Sequence, residues 1–105
     1  MTIDQADRVS RIVAVLASPV ALRIILLVHE QGLLSVQQIY TQLKIEQSAA
    51  SGKLIKLCNL GMLVRYDRGP ATRYKLADSA LDIIVNLATM SQEGRSLNAL
   101  TNDTR

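Results

Sequence analysis

SVQQIYTQLKIEQSAASGKLIKLCNLGMLVRYDRGPATRYKL, Ser35 to Leu76, holds in order a capped helix, a tight turn, a second helix and two strand-like runs around Gly69-Pro70. Ser35-Val36-Gln37-Gln38 has the spacing of a capping box, in which the serine oxygen accepts from the third helical N–H and the glutamine reaches back to the cap. Ile39 and Leu43 mark the inner face of the helix it opens. Beyond Lys44-Ile45, the residues Leu54, Leu57, Cys58 and Met62 recur at helical spacing, and Gly61 predicts the C-terminal cap. Met62-Leu63-Val64 begins a strand, Asp67 to Ala71 makes a turn, and Thr72-Arg73-Tyr74-Lys75-Leu76 returns. That order spells a helix-turn-helix followed by a β-wing.

The side of the second helix opposite its apolar stripe presents Gln47, Ser48, Ser51, Lys53 and Lys56. Small polar residues at its N-terminal end let a helix approach base edges in a major groove, and the long basic side chains behind them suit phosphates. Charge is distributed to match. Lys44 to Lys75 contains seven basic residues against Glu46 and Asp67, whereas the remainder of the chain is net acidic within a total of +3. A basic stripe neutralises phosphates and releases counterions, which gives duplex DNA a salt-sensitive affinity. The plain alternative is a solvated basic face; charge combined with this order of elements favours the nucleic-acid reading.

A chain of 105 residues suits one domain with a modest core. Its apolar content is aliphatic: Phe and Trp are absent, and Tyr40, Tyr66 and Tyr74 are the aromatic residues. Single-strand binders stack bases on several exposed rings, so composition argues against that class. The single cysteine, Cys58, excludes an intramolecular disulfide framework and suggests a reducing compartment. Ile12 to Val28 is nearly all apolar, but Pro19 and Arg23 speak against a membrane span, and Asp4 and Asp7 spoil the positive start of a signal peptide. The expectation is a soluble cytoplasmic protein without membrane association.

Ile3, Ala6, Val9, Ile12, Val13 and Leu16 fall at spacings of three and four, predicting an amphipathic first helix. Ser18 as N-cap and Pro19 at N1 open the next one. That second helix, through Gln31, is apolar nearly all round and is expected to be the core around which the others pack. Gly32 ends it, and Leu33-Leu34 suggests a short strand. Asp78-Ser79 opens a last helix predicted through Met90, with Leu81, Ile84, Val85 and Ala88 in one stripe and Ile83 and Leu87 widening it. A terminal helix apolar on more than one side needs two partners, its own core and a second subunit. Residues 1–90 thus form one domain, and the polar residues 91–105 are expected to be an irregular tail.

Four pieces of sequence in this order carry a resemblance: Val15-Leu16-Ala17-Ser18-Pro19 with Leu22-Arg23-Ile24; Gln47-Ser48-Ala49-Ala50-Ser51 with Lys53-Leu54 and Leu57; Leu60-Gly61-Met62-Leu63-Val64; and Arg73-Tyr74-Lys75-Leu76-Ala77-Asp78. Together, from Val15 to about Met90, the chain resembles the ArsR-type winged-helix transcriptional regulators. The resemblance implies a mainly α fold with a small β-wing, ordered α-α-(β)-α-α-β-β-α. It implies a homodimer joined through the first and last helices, with Ile12, Leu16, Leu81, Ile84, Val85 and Ala88 at the interface. It also implies a recognition helix from Gln47 to Asn59, Ala49 included, and a wing whose Arg65, Arg68 and Arg73 reach phosphates or the minor groove. Gly52 and Pro70 depart from the family, where larger polar or basic residues are usual. The third helix, Val36 to Leu43, has no Cys or His, and the last offers Asp82 alone, so the family's metal-sensing ligands are missing and no metal or cofactor is expected.

The remaining reactive residues have plain readings. His29 near a helix end complements the helix dipole. Cys58 on the buried stripe is an apolar filler. Ser51-Gly52-Lys53 lacks the spacing of a phosphate loop, and Asn102-Asp103-Thr104 spells a glycosylation acceptor of little meaning in a cytoplasmic tail. One His, one Cys and scattered carboxylates make no catalytic constellation, so an enzyme is not expected. The favoured reading is a sequence-specific DNA-binding regulator, a dimeric repressor, whose partners are double-stranded DNA, a second copy and an effector of unspecified chemistry. The competing reading is a winged-helix module that binds protein through the same surface.

Overall fold

Thr2, Ser18 and Ser35 start three helices by one device. Their hydroxyls accept from the backbone N–H three residues on, at 3.2 Å for Gln5, 3.4 Å for Ala21 and 3.2 Å for Gln38. Gln5 and Gln38 return the bond to the cap backbone at 2.8 Å each, closing full capping boxes. Such caps contribute about 1 kcal/mol apiece. The computed structural model describes residues 1–68 and 71–103, with side chains through Asp67 and from Ala71 to Gln92. The elements are α1 (Ile3–Leu16), α2 (Pro19–Gln31), β1 (Leu34–Ser35), α3 (Val36–Leu43), α4 (Gln47–Asn59), β2 (Leu63–Arg68), β3 (Ala71–Leu76) and α5 (Asp78–Asp103). This is the order the sequence predicts.

Helix α2 is the centre of the molecule. Ala21, Ile24, Ile25 and Val28 are fully buried there, against Leu34, Ile39, Ala50, Leu54, Leu57, Met62, Leu63 and Ala80. The apolar run from Ile12 to Val28 thus supplies much of the core, and no single helix among the described residues is long and apolar enough to cross a membrane. Burial is one-sided, however: Leu22 and Leu26, one turn apart, remain exposed. Gln31 and Gln42 exchange side-chain bonds at 2.6 and 3.0 Å, clasping α2 to α3.

Between α3 and α4 the chain turns on Lys44, whose φ of +56° is left-handed. The N–H of Ile45 donates to the Tyr40 carbonyl at 3.1 Å and closes the turn. At the other end of α4, Gly61 has φ +77°. Its N–H donates to the Cys58 carbonyl, and that of Met62 to the Leu57 carbonyl, both at 3.0 Å. These two bonds form the Schellman pattern, which favours glycine at the left-handed position.

The strands form an antiparallel sheet in the order β1-β3-β2. Asp67 and Arg68, expected in the turn, are strand residues paired with Thr72 and Ala71. The turn residues Gly69 and Pro70 lie outside the described residues. The last helix also differs from expectation. It does not stop at Met90 but continues to Asp103, so the polar segment read as irregular is helical through that residue. Weak apolar periodicity in the sequence does not mark where a helix ends. At 1.5 Å per residue its 26 residues span about 39 Å. Its beginning is anchored by buried Ala80 and half-buried Ile84.

Candidate nucleic-acid interface

Helix α4 is fixed by its inner face, where Ala50, Leu54 and Leu57 are fully buried. At 100° per residue this places Ser48, Gly52, Ile55, Lys56 and Asn59 on the opposite side, and all five are exposed. Gln47 and Ala49 are exposed at the N-terminal end, while Ser51 and Lys53 are half-buried on the two flanks. Lys53 is thus a flanking cation, and Lys56 is the one that stands clear. The sequence reading also passed over Ile55 and Ala50. Counting three and seven residues on from Gly52 and Ser48 would have found the first, and four back from Leu54 the second.

The hairpin β2-β3 separates its cations. Register pairs Arg65 with Tyr74 and Tyr66 with Arg73. Cross-strand partners share a face and neighbours along a strand alternate. Arg65 therefore lies on the face of buried Leu63 and half-buried Tyr74 and Leu76, which packs on the body of the protein, close enough to Cys58 for the two to interact electrostatically. Arg73 lies on the other face with Val64, Tyr66 and Lys75, and with Tyr66, Lys75, Gly32, Leu33 and Ala71 it lines an open cavity of about 530 Å³. The sequence grouped Arg65, Arg68 and Arg73 as one grip; the register places Arg65 and Arg73 back to back. The side chain of Arg68 lies outside the described residues.

Arg65 is further tuned by its surroundings. Its Nε donates to Asp67 Oδ1 at 3.0 Å, and the Thr72 hydroxyl donates to the same oxygen at 2.8 Å. The Thr72 bond, then Arg65, holds the Asp67 carboxyl below the usual carboxylate range, and the same contact raises the guanidinium pKa. Cys58 moves the other way: burial pushes its thiol up, against a smaller opposing pull from Arg65. A raised thiol pKa makes a poor nucleophile at neutral pH. No group of three or more His, Cys, Asp or Glu among the described residues could hold a metal ion.

The expected dimer residues divide by exposure. Ile12 and Leu16 on α1 and Ile84 on α5 are half-buried against the core. Leu81, Val85 and Ala88 are exposed, as are Ile83, Leu87 and Met90. Helix α1 buries no residue fully, and Ile3, Val9 and Val13 remain open.

A central α2, the α3-turn-α4 unit and the adjoining hairpin define a winged helix-turn-helix, and this is the chain's fold. No protein-family profile and no curated protein sequence matches the chain. Solved structures do. One is the homodimeric winged helix-turn-helix DNA-binding domain Mb0332 from Mycobacterium bovis, described as a possible ArsR-family transcriptional regulator: 24% identity, TM-score 0.73, covering 86% of this chain and 82% of that one. The transcriptional repressor PagR of Bacillus anthracis is 25% identical with TM-score 0.70, covering 82% and 99%. The transcriptional repressor BigR from Xylella fastidiosa is 24% identical with TM-score 0.69, covering 86% and 96%. The likeness to ArsR-type winged-helix regulators seen in four pieces of sequence is thus met in three dimensions.

Proposed function

We propose that the protein is a dimeric, DNA-binding transcriptional regulator of the ArsR type, acting as a repressor and lacking that family's usual metal-sensing ligands. One observation carries the reading: the face of α4 turned from the core offers only small, polar, apolar or basic side chains, with no acidic residue from Gln47 to Asn59 to repel phosphates. Gln47, Ser48, Ala49 and Ser51 would meet base edges, while Lys56, Lys53 and the wing arginines Arg65 and Arg68 hold the sugar-phosphate strands. Arg73, on the far face of the hairpin, joins only where the wing tip reaches both walls of a minor groove.

Pairing through the open apolar surfaces of α1 and α5 would set two copies of α4 about 34 Å apart, one helical turn of DNA, on a pseudo-palindromic site. The two solved neighbours described as repressors, and the homodimeric DNA-binding domain Mb0332, support this assignment. Capture of genomic fragments by the purified chain at moderate salt tests it. An enriched palindrome whose binding falls steeply as salt rises is the expected result. Absence of any enriched duplex would favour the protein-binding module instead.

A further inference from the structure

Ile55 stands 60% exposed in the middle of the outward face of α4, three residues beyond exposed Gly52 and four before exposed Asn59. A lone exposed isoleucine is ordinary on a protein surface. On a helix that enters a major groove it is not neutral, because docking strips water from whatever it covers. Over a G·C pair it would desolvate hydrogen-bonding groups and return no bond. Over the C5 methyl of thymine it would gain apolar contact, and of the four bases only thymine offers that methyl. The approach is open as well: Gly52 has no Cβ, and nothing lies within 4 Å of the point where one would stand. The backbone one turn ahead of Ile55 can therefore come close enough to the bases for a branched four-carbon side chain to reach.

We infer that Ile55 is a specificity determinant that reads the C5 methyl of one thymine in each half-site. The inference rests on the DNA-binding reading above. Runs of exposed apolar side chains lie on α1, α2 and α5, whereas Ile55 is set among Ser48, Gly52, Lys56 and Asn59, surroundings suited to a nucleic acid and not to a second copy.

The test uses the full chain and the duplex it selects from a random pool, with each thymine replaced in turn by deoxyuridine, which lacks only the methyl. One position per half-site is expected to lose about fourfold in affinity, and both half-sites together about sixteenfold, the factor that burial of one methyl group each supplies. Ile55→Ala, at an exposed position and with a better helix former, stays folded by circular dichroism and binds thymine and uracil duplexes alike. Equal binding of thymine and uracil duplexes by the unaltered chain overturns the inference, as does a thymine preference that survives Ile55→Ala. A change in sedimenting mass on Ile55→Ala would also overturn it, assigning the residue to a protein contact. Selection of no duplex at all is a different outcome, which removes the DNA-binding reading itself.

Discussion

Arg65 and Asp67, two residues apart on β2, are bound by the single ion pair found among the described residues, at 3.0 Å, and the carboxylate is shared with Thr72 across the hairpin. This wing cation, which interacts with Cys58 on α4, is therefore partly neutralised before any phosphate arrives. Asp67→Asn is expected to tighten duplex binding at low salt and to steepen the log–log salt dependence by about one phosphate contact, a slope change of about 0.9. Titration of binding at several salt concentrations measures it, and an unchanged slope would remove Arg65 from the contact surface.

The same triad responds to acid. A carboxylate whose folded pKa is depressed contributes stability above its unfolded pKa and loses it as pH falls through the folded value. The hairpin is expected to hold through the ordinary carboxylate range and to loosen only below it, as Asp67 takes up its proton. Thr72→Val removes the larger cause of the depression and should raise the pH at which Asp67 titrates, followed by its side-chain carboxyl signal in NMR.

Lys56 and Lys53 separate by position. Lys56 is exposed on the outward face, and Lys53 is half-buried on the flank. Lys56→Ala is expected to weaken all duplexes alike and to lower the salt slope by about one, with Lys53→Ala and Arg73→Ala each weaker in effect. Ser51→Ala and Gln47→Ala should instead alter preference among sites. Comparable losses at Arg73 and Lys56 would place the far face of the hairpin against DNA.

Adjacent residues on α5 give opposite outcomes with the same substitution. Val85 is 52% exposed, whereas Ile84 is half-buried against the core. Val85→Glu is expected to leave a folded chain sedimenting as a monomer, and Ile84→Glu to destabilise the fold itself by roughly 2 kcal/mol in urea titration. A Val85→Glu chain that remains a folded dimer would move the interface elsewhere.

Lys44 holds a left-handed backbone without being glycine. That conformation costs an L-residue about 1 kcal/mol, so Lys44→Gly is expected to stabilise the chain by up to about that amount in urea unfolding, less the added entropy of the unfolded glycine.

The fold was legible where local chemistry and periodicity agree. Ser18-Pro19, the Ser35 to Gln38 capping box and Gly61 each declare a helix boundary through a hydrogen bond three to five residues long, and all three fall where the pattern puts them. Legibility failed where the deciding partner is distant. Pairing with Thr72 and Ala71 draws Asp67 and Arg68 into β2 although both residue types suit turns. The outward face of the candidate site was half legible for the same reason. Spacing put Ser48 and Lys56 outward, but Lys53 takes the flank because Ala50, Leu54 and Leu57 set the axis of burial. Strand parity, which turns Arg65 and Arg73 apart, could be known only once the register of the hairpin was fixed.

Helix α1 conceals none of its own side chains fully, with Ile3 81% exposed at its start. Fourteen residues of helix, held to the core by Ile12, Val15 and Leu16 alone, are marginal in water, so the pairing proposed above would add to the persistence of this element. The melting temperature is accordingly expected to climb with protein concentration, as for any chain whose folding is linked to assembly. If the proposed pairing holds, dilution is expected to fray the N-terminus first, so that copy number would govern the lifetime of the polypeptide against proteolysis as well as its occupancy of any target.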